Sequence, residues 1–310
     1  MRLEVRDEVV QFAYKWSQRA ELPLRQICAS LGISSSKLSI WRGRAGTPNQ
    51  HAPHVRRAGE VTPEEKAAVV AFYLDHVFDG YRRCAYMMLD ANIAALHPST
   101  VFLILKEAGV LRSRTARRGC KGLGFKQPNA VHRHWHTDIT HVVVDGRAAN
   151  LCCIIDGFSR YILAWTLSWD GDAICVETTL QKALERFPGV HPRMISDNGK
   201  QFVCRDYKQL LAMAGLTRCT TSPYYPQSNG KIERFHDTLK NEILAGKVLN
   251  DIDYAQECVG RAIDYYNNVR LHSAIGYVTP RDALEGRSQE IFGERARKLQ
   301  LARELRRRAG

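Results

Sequence analysis

Residues 134–146, HWHTDITHVVVDG, decide the fold class of this chain. Trp135–Val144 is rich in the β-branched and aromatic residues that strands prefer, and Asp145-Gly146 after it is a strong hairpin-turn signal. Two more strand patterns follow, and helical and strand patterns then alternate to about residue 268. Three hairpin-linked strands followed by such an alternation predict a mixed α/β sheet.

The predicted elements of this region have clear bounds in the sequence. The strands are Trp135–Val144, Ala148–Ile155, Tyr161–Leu167, Arg193–Ser196 and Leu216–Thr220. The helices are Ala173–Phe187, Val203–Ala214, Asn229–Leu244 and Tyr254–Asn268.

Three acidic residues lie where a site could form around this sheet. Asp138 is in the middle of an apolar strand, where a carboxylate is costly unless it is paired or metal-bound. Asp197 follows a strand end, where α/β sheets bind ligands, and Glu233 lies in the first turns of a helix. An acid that lies alone at a strand end or a helix start is more often a cap or a turn residue. Acids interpreted as turn or cap residues are Asp145, Asp156 and Asp251.

The composition narrows the classes of partner. The chain has 310 residues, 45% of them hydrophobic, which suits two or three folded domains. Its formal net charge of +13 favours a nucleic acid or an anionic membrane surface, although such charge can also serve solubility alone. No apolar run reaches the roughly 20 residues that cross a bilayer, and the N-terminus lacks the apolar segment of a secretory signal. A soluble nucleic-acid-binding protein is therefore expected.

The nine cysteines are predicted to be free thiols, because their number is odd and most lie in apolar stretches without C-x-x-C spacing. His132, His134 and His136 would share one face of a strand, as zinc ligands could. No further cysteine or histidine pair lies at ligand spacing, so a zinc site there is the weaker alternative.

Residues 1–45 are predicted to form a helix-turn-helix DNA-binding unit. Helical patterns cover Val5–Trp16 and Leu24–Leu31, Gly32 breaks the chain, and Ser34 caps a third helix that ends near Trp41. The third helix would present its polar side chains to DNA: Ser35, Ser36, Lys37 and Arg42. A plain helical hairpin is the alternative.

The rest of the chain is predicted to hold a second helical unit and three connecting or terminal segments. Residues 46–60 form a linker rich in proline and glycine, and residues 61–111 form a second helical DNA-binding unit that opens with the Thr62–Glu65 capping box. Residues 112–129 form a basic linker. Residues 286–310 form a basic helical tail, which either lies on DNA or only aids solubility.

Four segments and their spacing carry a family resemblance. They are WHTDIT (135–140), IIDGFSR (154–160), SDNGKQF (196–202) and PYYPQSNGKIERF (223–235). Thirty-five residues separate Asp197 from Glu233, Lys240 follows two helical turns later, and YYNNVRLHSAIGYVTP (265–280) comes after the core. Residues 130–285 resemble the integrase catalytic core of the retroviral integrase superfamily, and in particular the DDE transposases of bacterial insertion sequences. The resemblance implies a ribonuclease-H-like α/β domain with a mixed five-stranded sheet.

The same resemblance implies an activity and the residues that carry it. Asp138, Asp197 and Glu233 would be the catalytic metal ligands for two Mg²⁺ (or Mn²⁺) ions, with Asp138 shared between the ions. Transposon DNA would be cleaved to free a 3′-OH, which would then attack target DNA. Residues expected to bind DNA near this site are Lys240, Lys231, Arg234, Gln227 and Asn229. The partners would be transposon ends, target DNA and further copies of the chain on DNA, and no membrane. The protein would be located in the cytoplasm of a bacterium, associated with the nucleoid.

Two other outcomes stay open at this point. One is a nuclease of the same fold that cuts DNA without joining it, and the other is a catalytically silent DNA-binding regulator of transposition. The predicted N-terminal DNA-binding units favour recognition of element ends and therefore transposition, and the presence of all three acids argues against a silent core.

Overall fold

The computed structural model describes residues 3–47, 60–76, 78–111, 127–169, 172–220 and 229–309. Most of the predicted basic linker (112–126) and the loop that contains Gln227 (221–228) lie outside these ranges. Internal contacts divide the chain into two units, Met1–Ala58 and Gly59–Ala309. A finer division of the second unit into domains stays a prediction.

The described part of the first unit consists of three helices, α1 (Leu3–Arg19), α2 (Leu24–Ser30) and α3 (Ser35–Gly43). Gly32 turns the chain between α2 and α3 with a φ of +67°, which glycine adopts without strain. The Ser34 side chain caps α3 by accepting a hydrogen bond from the Lys37 N–H. Cys28 and Leu38 are buried together in the core. The predicted order of helix, glycine turn and helix is confirmed.

The second unit opens with three more helices, α4 (Pro63–Asp75), α5 (Gly80–Asp90) and α6 (Pro98–Glu107). The predicted capping box is present: the Thr62 hydroxyl accepts from the Glu65 N–H, and the Glu65 carboxylate accepts from the Thr62 N–H. Val69, Met88 and Leu105 are buried in the core that the three helices share.

A mixed five-stranded sheet follows, with the order β3-β2-β1-β4-β5. Its strands are β1 (His134–Val144), β2 (Arg147–Asp156), β3 (Ile162–Ser168), β4 (Arg193–Ser196) and β5 (Thr217–Thr220). The first three are antiparallel, and β4 and β5 run parallel to β1. Asp145 and Gly146 both have positive φ between β1 and β2, as a type I′ hairpin turn requires. This is the ribonuclease-H-like sheet that the sequence predicts.

Helices cover both faces of the sheet and create two cores. These helices are α7 (Asp172–Arg186), α8 (Lys200–Val203), α9 (Arg205–Met213), α10 (Gly230–Thr238) and α11 (Ile252–Asn268). The α7 and α9 side contains Cys152, and the α10 and α11 side contains Cys153, because neighbouring residues of β2 point to opposite faces. All eight described cysteines are free, as predicted.

Two predicted helices differ from the structure in their continuity. The segment Val203–Ala214 is divided between α8 and α9, because Cys204 has an extended backbone (φ −62°, ψ 160°). The helix predicted to run to Leu244 is α10 followed by a π-helical turn, Leu239–Ile243, in which the Leu244 N–H donates to the Leu239 carbonyl five residues back.

The C-terminal tail is a docked helix. After α12 (Pro280–Leu284), α13 extends over Ser288–Ala309. Arg295 donates two hydrogen bonds to the Asp90 carboxylate at 2.7 and 2.6 Å, and Arg306 donates to the Glu65 carboxylate at 3.0 and 2.8 Å. These pairs hold α13 against α4 and α5. No helix in the described ranges is long and apolar enough to span a membrane.

Candidate active site

Asp138 is the half-buried centre of the site. It lies in β1 opposite Cys153 of β2, and its side chain is 20% exposed. Burial raises the pKa of Asp138 to about 7, and the negative charges of Asp197 and Glu233 act in the same direction. The protein therefore disfavours the ionised form of the Asp138 carboxyl group, first through burial and then through the two neighbouring acids.

Asp197 lies at the same level of the neighbouring strand. The parallel register of β1 and β4 pairs His136 with Ile195, each two residues before one of the two aspartates. The Asp197 carboxylate accepts a hydrogen bond from the Gly199 N–H at 2.9 Å, just before α8 begins. Strand pairing therefore brings Asp138 and Asp197 side by side, although 58 positions of sequence lie between them.

Glu233 reaches the site because α10 is fastened to β1. Asn229, the residue before α10, is buried, and its side-chain amide donates to the Thr137 carbonyl at 3.4 Å. Glu233 follows one turn later and is exposed. Burial raises the pKa of Glu233, and the charge of Asp237 raises it further.

His236 is a side chain of α10 that contacts Asp138. Its Nδ1 lies 3.7 Å from the Asp138 carboxylate, and its side chain is 7% exposed. Burial lowers the pKa of His236 to about 4, and the Lys240 charge contributes. The histidine is therefore neutral near pH 7. Its uncharged imidazole packs against the Asp138 carboxyl group and does not form an ion pair with it.

The three acids form an electrostatic cluster whose chemistry fits a hard divalent cation. All donors are carboxylate oxygens, which Mg²⁺ and Mn²⁺ prefer, and such a cation would relieve the repulsion that contributes to the raised pKa of Asp138. Within the described ranges no three His, Cys, Asp or Glu side chains are arranged to hold a metal ion as they stand. Ligation by Asp138, Asp197 and Glu233 together stays a prediction.

The histidines considered for zinc have other surroundings. The His132 ring accepts a hydrogen bond from the Trp135 indole at 3.1 Å. His136 is fully buried, and burial lowers its pKa to about 3. The described residues do not bring these histidines together as a metal site.

The turn after β2 is built around the buried carboxylate of Asp156. One oxygen accepts from the His132 N–H at 2.8 Å, and the other accepts from the Phe158 and Ser159 N–H groups and the Ser159 hydroxyl. Gly157 fits closely there, since a Cβ would lie 3.0 Å from the His134 carbonyl oxygen and one of the two would have to shift. The predicted structural role of Asp156 is confirmed.

The residues predicted to bind DNA near the acids occupy different environments. Arg234 and Lys240 are exposed on α10 and on the π-helical turn. Lys231 instead donates to the Gly157 carbonyl at 2.9 Å, and burial lowers its pKa to about 7. Asn229 is buried against β1, and Gln227 lies outside the described residues. Their contacts with DNA stay predictions.

The predicted recognition residues of α3 are all exposed: Ser35, Ser36, Lys37 and Arg42. The Lys37 ammonium lies 5.1 Å from the centre of the Trp41 ring. The Arg42 guanidinium stacks 4.5 Å from the centre of the Tyr14 ring and donates to its hydroxyl. These aromatic contacts orient two cations at the surface without neutralising them.

Sequence reasoning missed two features of this site. His236 follows Glu233 by three residues, a helical spacing that places both side chains on one face and could have indicated its position. Arg160 ends the segment IIDGFSR (154–160) quoted above, but no role was predicted for it, because most residues that line a cavity with it come from α10 and from the segment after α11.

Comparison with known proteins gives a consistent set of similarities. The family model described as "Integrase core domain" matches residues 128–226, and a second model of that description matches residues 214–280. An uncharacterized protein of insertion element IS136 from Agrobacterium fabrum is 33% identical over 151 residues, which are 46% of this chain and 77% of that protein.

Two further similarities extend over more of the chain. The putative transposase InsK of insertion sequence element IS150 from Escherichia coli is 26% identical over 272 residues, 83% of this chain and 92% of that protein. A chain of the simian T-cell lymphotropic virus intasome, solved by cryo-electron microscopy with a PP2A regulatory subunit, is 15% identical with a TM-score of 0.47. That match covers 70% of this chain and 74% of the viral one.

Proposed function

Since this chain belongs to the DDE transposases of the retroviral integrase superfamily, and is thus a polynucleotidyl transferase, we propose that it cleaves the 3′ ends of transposon DNA and joins them to target DNA. The proposed reaction depends on Mg²⁺ or Mn²⁺, and the acids that serve it are Asp138, Asp197 and Glu233.

The observation that carries this proposal is the electrostatic state of Asp138. A carboxyl group whose pKa is raised to about 7 by burial and by two neighbouring acids is unfavourable for the protein alone. Two divalent cations bound by the three carboxylates would neutralise charge on the phosphate and activate the attacking oxygen. Asp138 lies in β1, and Asp197 directly follows β4, the strand that pairs with β1.

Other side chains position the acids in this proposal. Asn229 ties the start of α10 to β1, and His236 packs its neutral ring against Asp138. Lys240 lies seven residues after Glu233 on the same helical face, and we assign it to a DNA phosphate. The exposed polar face of α3 is assigned to the recognition of element ends.

The proposed partners follow from the reaction. Two transposon ends have to be joined to one target, so we expect two or more copies of the chain to assemble on DNA. Whether the element leaves its site by cutting or by copying does not affect the role of the three acids.

The test is a cleavage and joining assay with labelled DNA that carries the ends of the flanking element, in Mg²⁺ or Mn²⁺, with and without EDTA. We expect metal-dependent 3′-end nicks and joined products from the wild type. Asp138→Asn should lose both products while its affinity for the ends stays within a few-fold, and Asp206→Asn, an exposed acid on α9, is the matched control. Joining by Asp138→Asn would show that the acids are misassigned. Nicks without joining would favour the nuclease, and binding alone would favour the silent regulator.

A further inference from the structure

A cavity of about 510 Å³ lies beside α10, and His236 is not among the residues that line it. The α10 residues that line it include Gly230, Arg234 and Asp237, which repeat at the spacing of one helical face. Glu233 also lines the cavity, so this carboxylate borders both the cavity and the acidic cluster around Asp138.

The basic side chains on the cavity wall are two arginines, Arg160 and Arg234, and Lys231, whose pKa burial lowers to about 7. Glu233 and Asp237 line it as well, but neither forms an ion pair with these cations within 4.0 Å in the described part of the chain. The Lys231 ammonium donates to the neutral Gly157 carbonyl. The cavity therefore holds positive charge that the protein does not pair.

Arg160 is the most unusual of these cations. Its backbone has a φ of +67°, a left-handed conformation that costs a non-glycine residue about 1 kcal/mol or more. Its Nη1 is buried and has no hydrogen-bond partner among the described residues, and burial lowers the pKa of the guanidinium. A buried donor without an acceptor is unfavourable unless a ligand supplies the acceptor.

The nearby Asp156 does not supply this acceptor. Its two oxygens accept four hydrogen bonds, and all of these come from the turn itself and from the segment before β1. The Asp156 carboxylate thus fixes the backbone that presents Arg160. The guanidinium remains available to another anion.

We propose that this cavity binds a phosphate group of the DNA backbone next to the acidic cluster. Arginine offers a planar pair of N–H donors that matches two phosphate oxygens, and lysine adds a compact charge. The N-terminus of α10 also opens into the cavity at Gly230, and no side chain caps it. The proposal rests on the proposed function, because DNA is the substrate that brings a phosphate to this side of Glu233.

The test measures how the full chain binds a duplex that carries the element ends. Arg160→Gln should weaken binding several-fold and reduce the slope of log affinity against log salt by about 1. Arg234→Gln, an exposed residue of the same cavity, should act in the same direction and guards against a folding defect at Arg160. Arg261→Gln is the matched control, since Arg261 is an exposed cation of α11 that pairs with Glu257. It should keep the wild-type slope.

A second measurement identifies the phosphate itself. Single backbone phosphates of the duplex are replaced by uncharged methylphosphonates, one position at a time. At one position near the cleaved end, the replacement should weaken binding by the wild type and by Arg261→Gln but not by Arg160→Gln. Equal effects on Arg160→Gln and the wild type at every position would overturn the proposal.

Three further outcomes would overturn the proposal or separate its failure from that of the proposed function. If inorganic phosphate binds the wild type and not Arg160→Gln, while no methylphosphonate affects DNA binding, the cavity is a free-anion site and the DNA assignment is wrong. If Asp138→Asn loses cleavage as expected but folded Arg160→Gln and Arg234→Gln keep the wild-type slope, only the cavity assignment fails. If the wild type neither binds nor cleaves this DNA, the proposed function fails first.

Discussion

From the surroundings of His272 we predict that the folded protein loses stability in mild acid. His272 lies after α11, where its Nδ1 accepts a hydrogen bond from the Ala274 N–H at 3.2 Å. Burial lowers the pKa of His272 to about 3, and four arginine charges act in the same direction: Arg270, Arg160, Arg83 and Arg234. The folded protein therefore keeps this imidazole neutral at pH values where the unfolded chain takes up a proton.

The sign and size of the effect follow from the two pKa values of His272. A histidine of the unfolded chain has a pKa of about 6.5, so below that pH the unfolded state binds more protons and the folded state loses stability. This stability is fully present above about pH 6.5 and is lost as the pH falls towards 3. Between pH 7 and pH 5 the loss is about 2 kcal/mol.

The assay compares urea unfolding of the wild type and His272→Asn at pH 7 and pH 5. Asparagine keeps a side-chain acceptor for the Ala274 N–H but does not titrate. The wild type should lose about 2 kcal/mol more than the variant between the two pH values. His191→Asn removes an exposed histidine and should follow the wild type. Equal losses in the wild type and His272→Asn would refute the argument that burial and arginines keep this ring neutral.

Three further predictions concern binding and stability. Lys37→Ala should weaken binding to the element ends several-fold at every salt concentration. The control is Lys15→Ala, which removes an exposed lysine of α1 and should not change the preference for the ends. Unchanged affinity of Lys37→Ala would show that α3 does not recognise the ends. Asp156→Ala should lower the free energy of unfolding, measured by urea unfolding, by about 3 kcal/mol or more, because three backbone N–H groups lose a buried acceptor. A loss below about 1 kcal/mol would contradict this prediction. Arg306→Leu should lower the free energy of unfolding by about 2 kcal/mol, less than for a fully buried pair because Glu65 is 26% exposed. A thermal or urea midpoint equal to that of the wild type would show that this pair does not hold α13.

The helical units show how far local patterns reach. The Gly32 turn, the Ser34 cap and the Thr62–Glu65 capping box all follow from residues a few positions apart, and each is present in the structure. The pairing of α13 with α4 and α5 was not predicted, because Arg306 and Glu65 are 241 positions apart and their spacing carries no signal.

The sequence by itself determined the strands of the sheet and the hairpin turn at Asp145 and Gly146, and the structure contains both. These depend on alternation and turn preference, which are local properties of the chain. The three acids were singled out together by the family resemblance, and their joint role as metal ligands stays a prediction. The predicted helix through Val203–Ala214 failed at Cys204, where one extended residue interrupts an otherwise helical pattern.

Only the tertiary structure decided what surrounds those acids. It placed the neutral ring of His236 against Asp138, turned Lys231 towards the Gly157 carbonyl, and left the Arg160 Nη1 without a hydrogen-bond partner among the described residues. The physical reason is that burial and pairing depend on which segments meet in space. A side chain's charge, exposure and free donors are therefore set by residues tens to hundreds of positions away, and no local pattern records them.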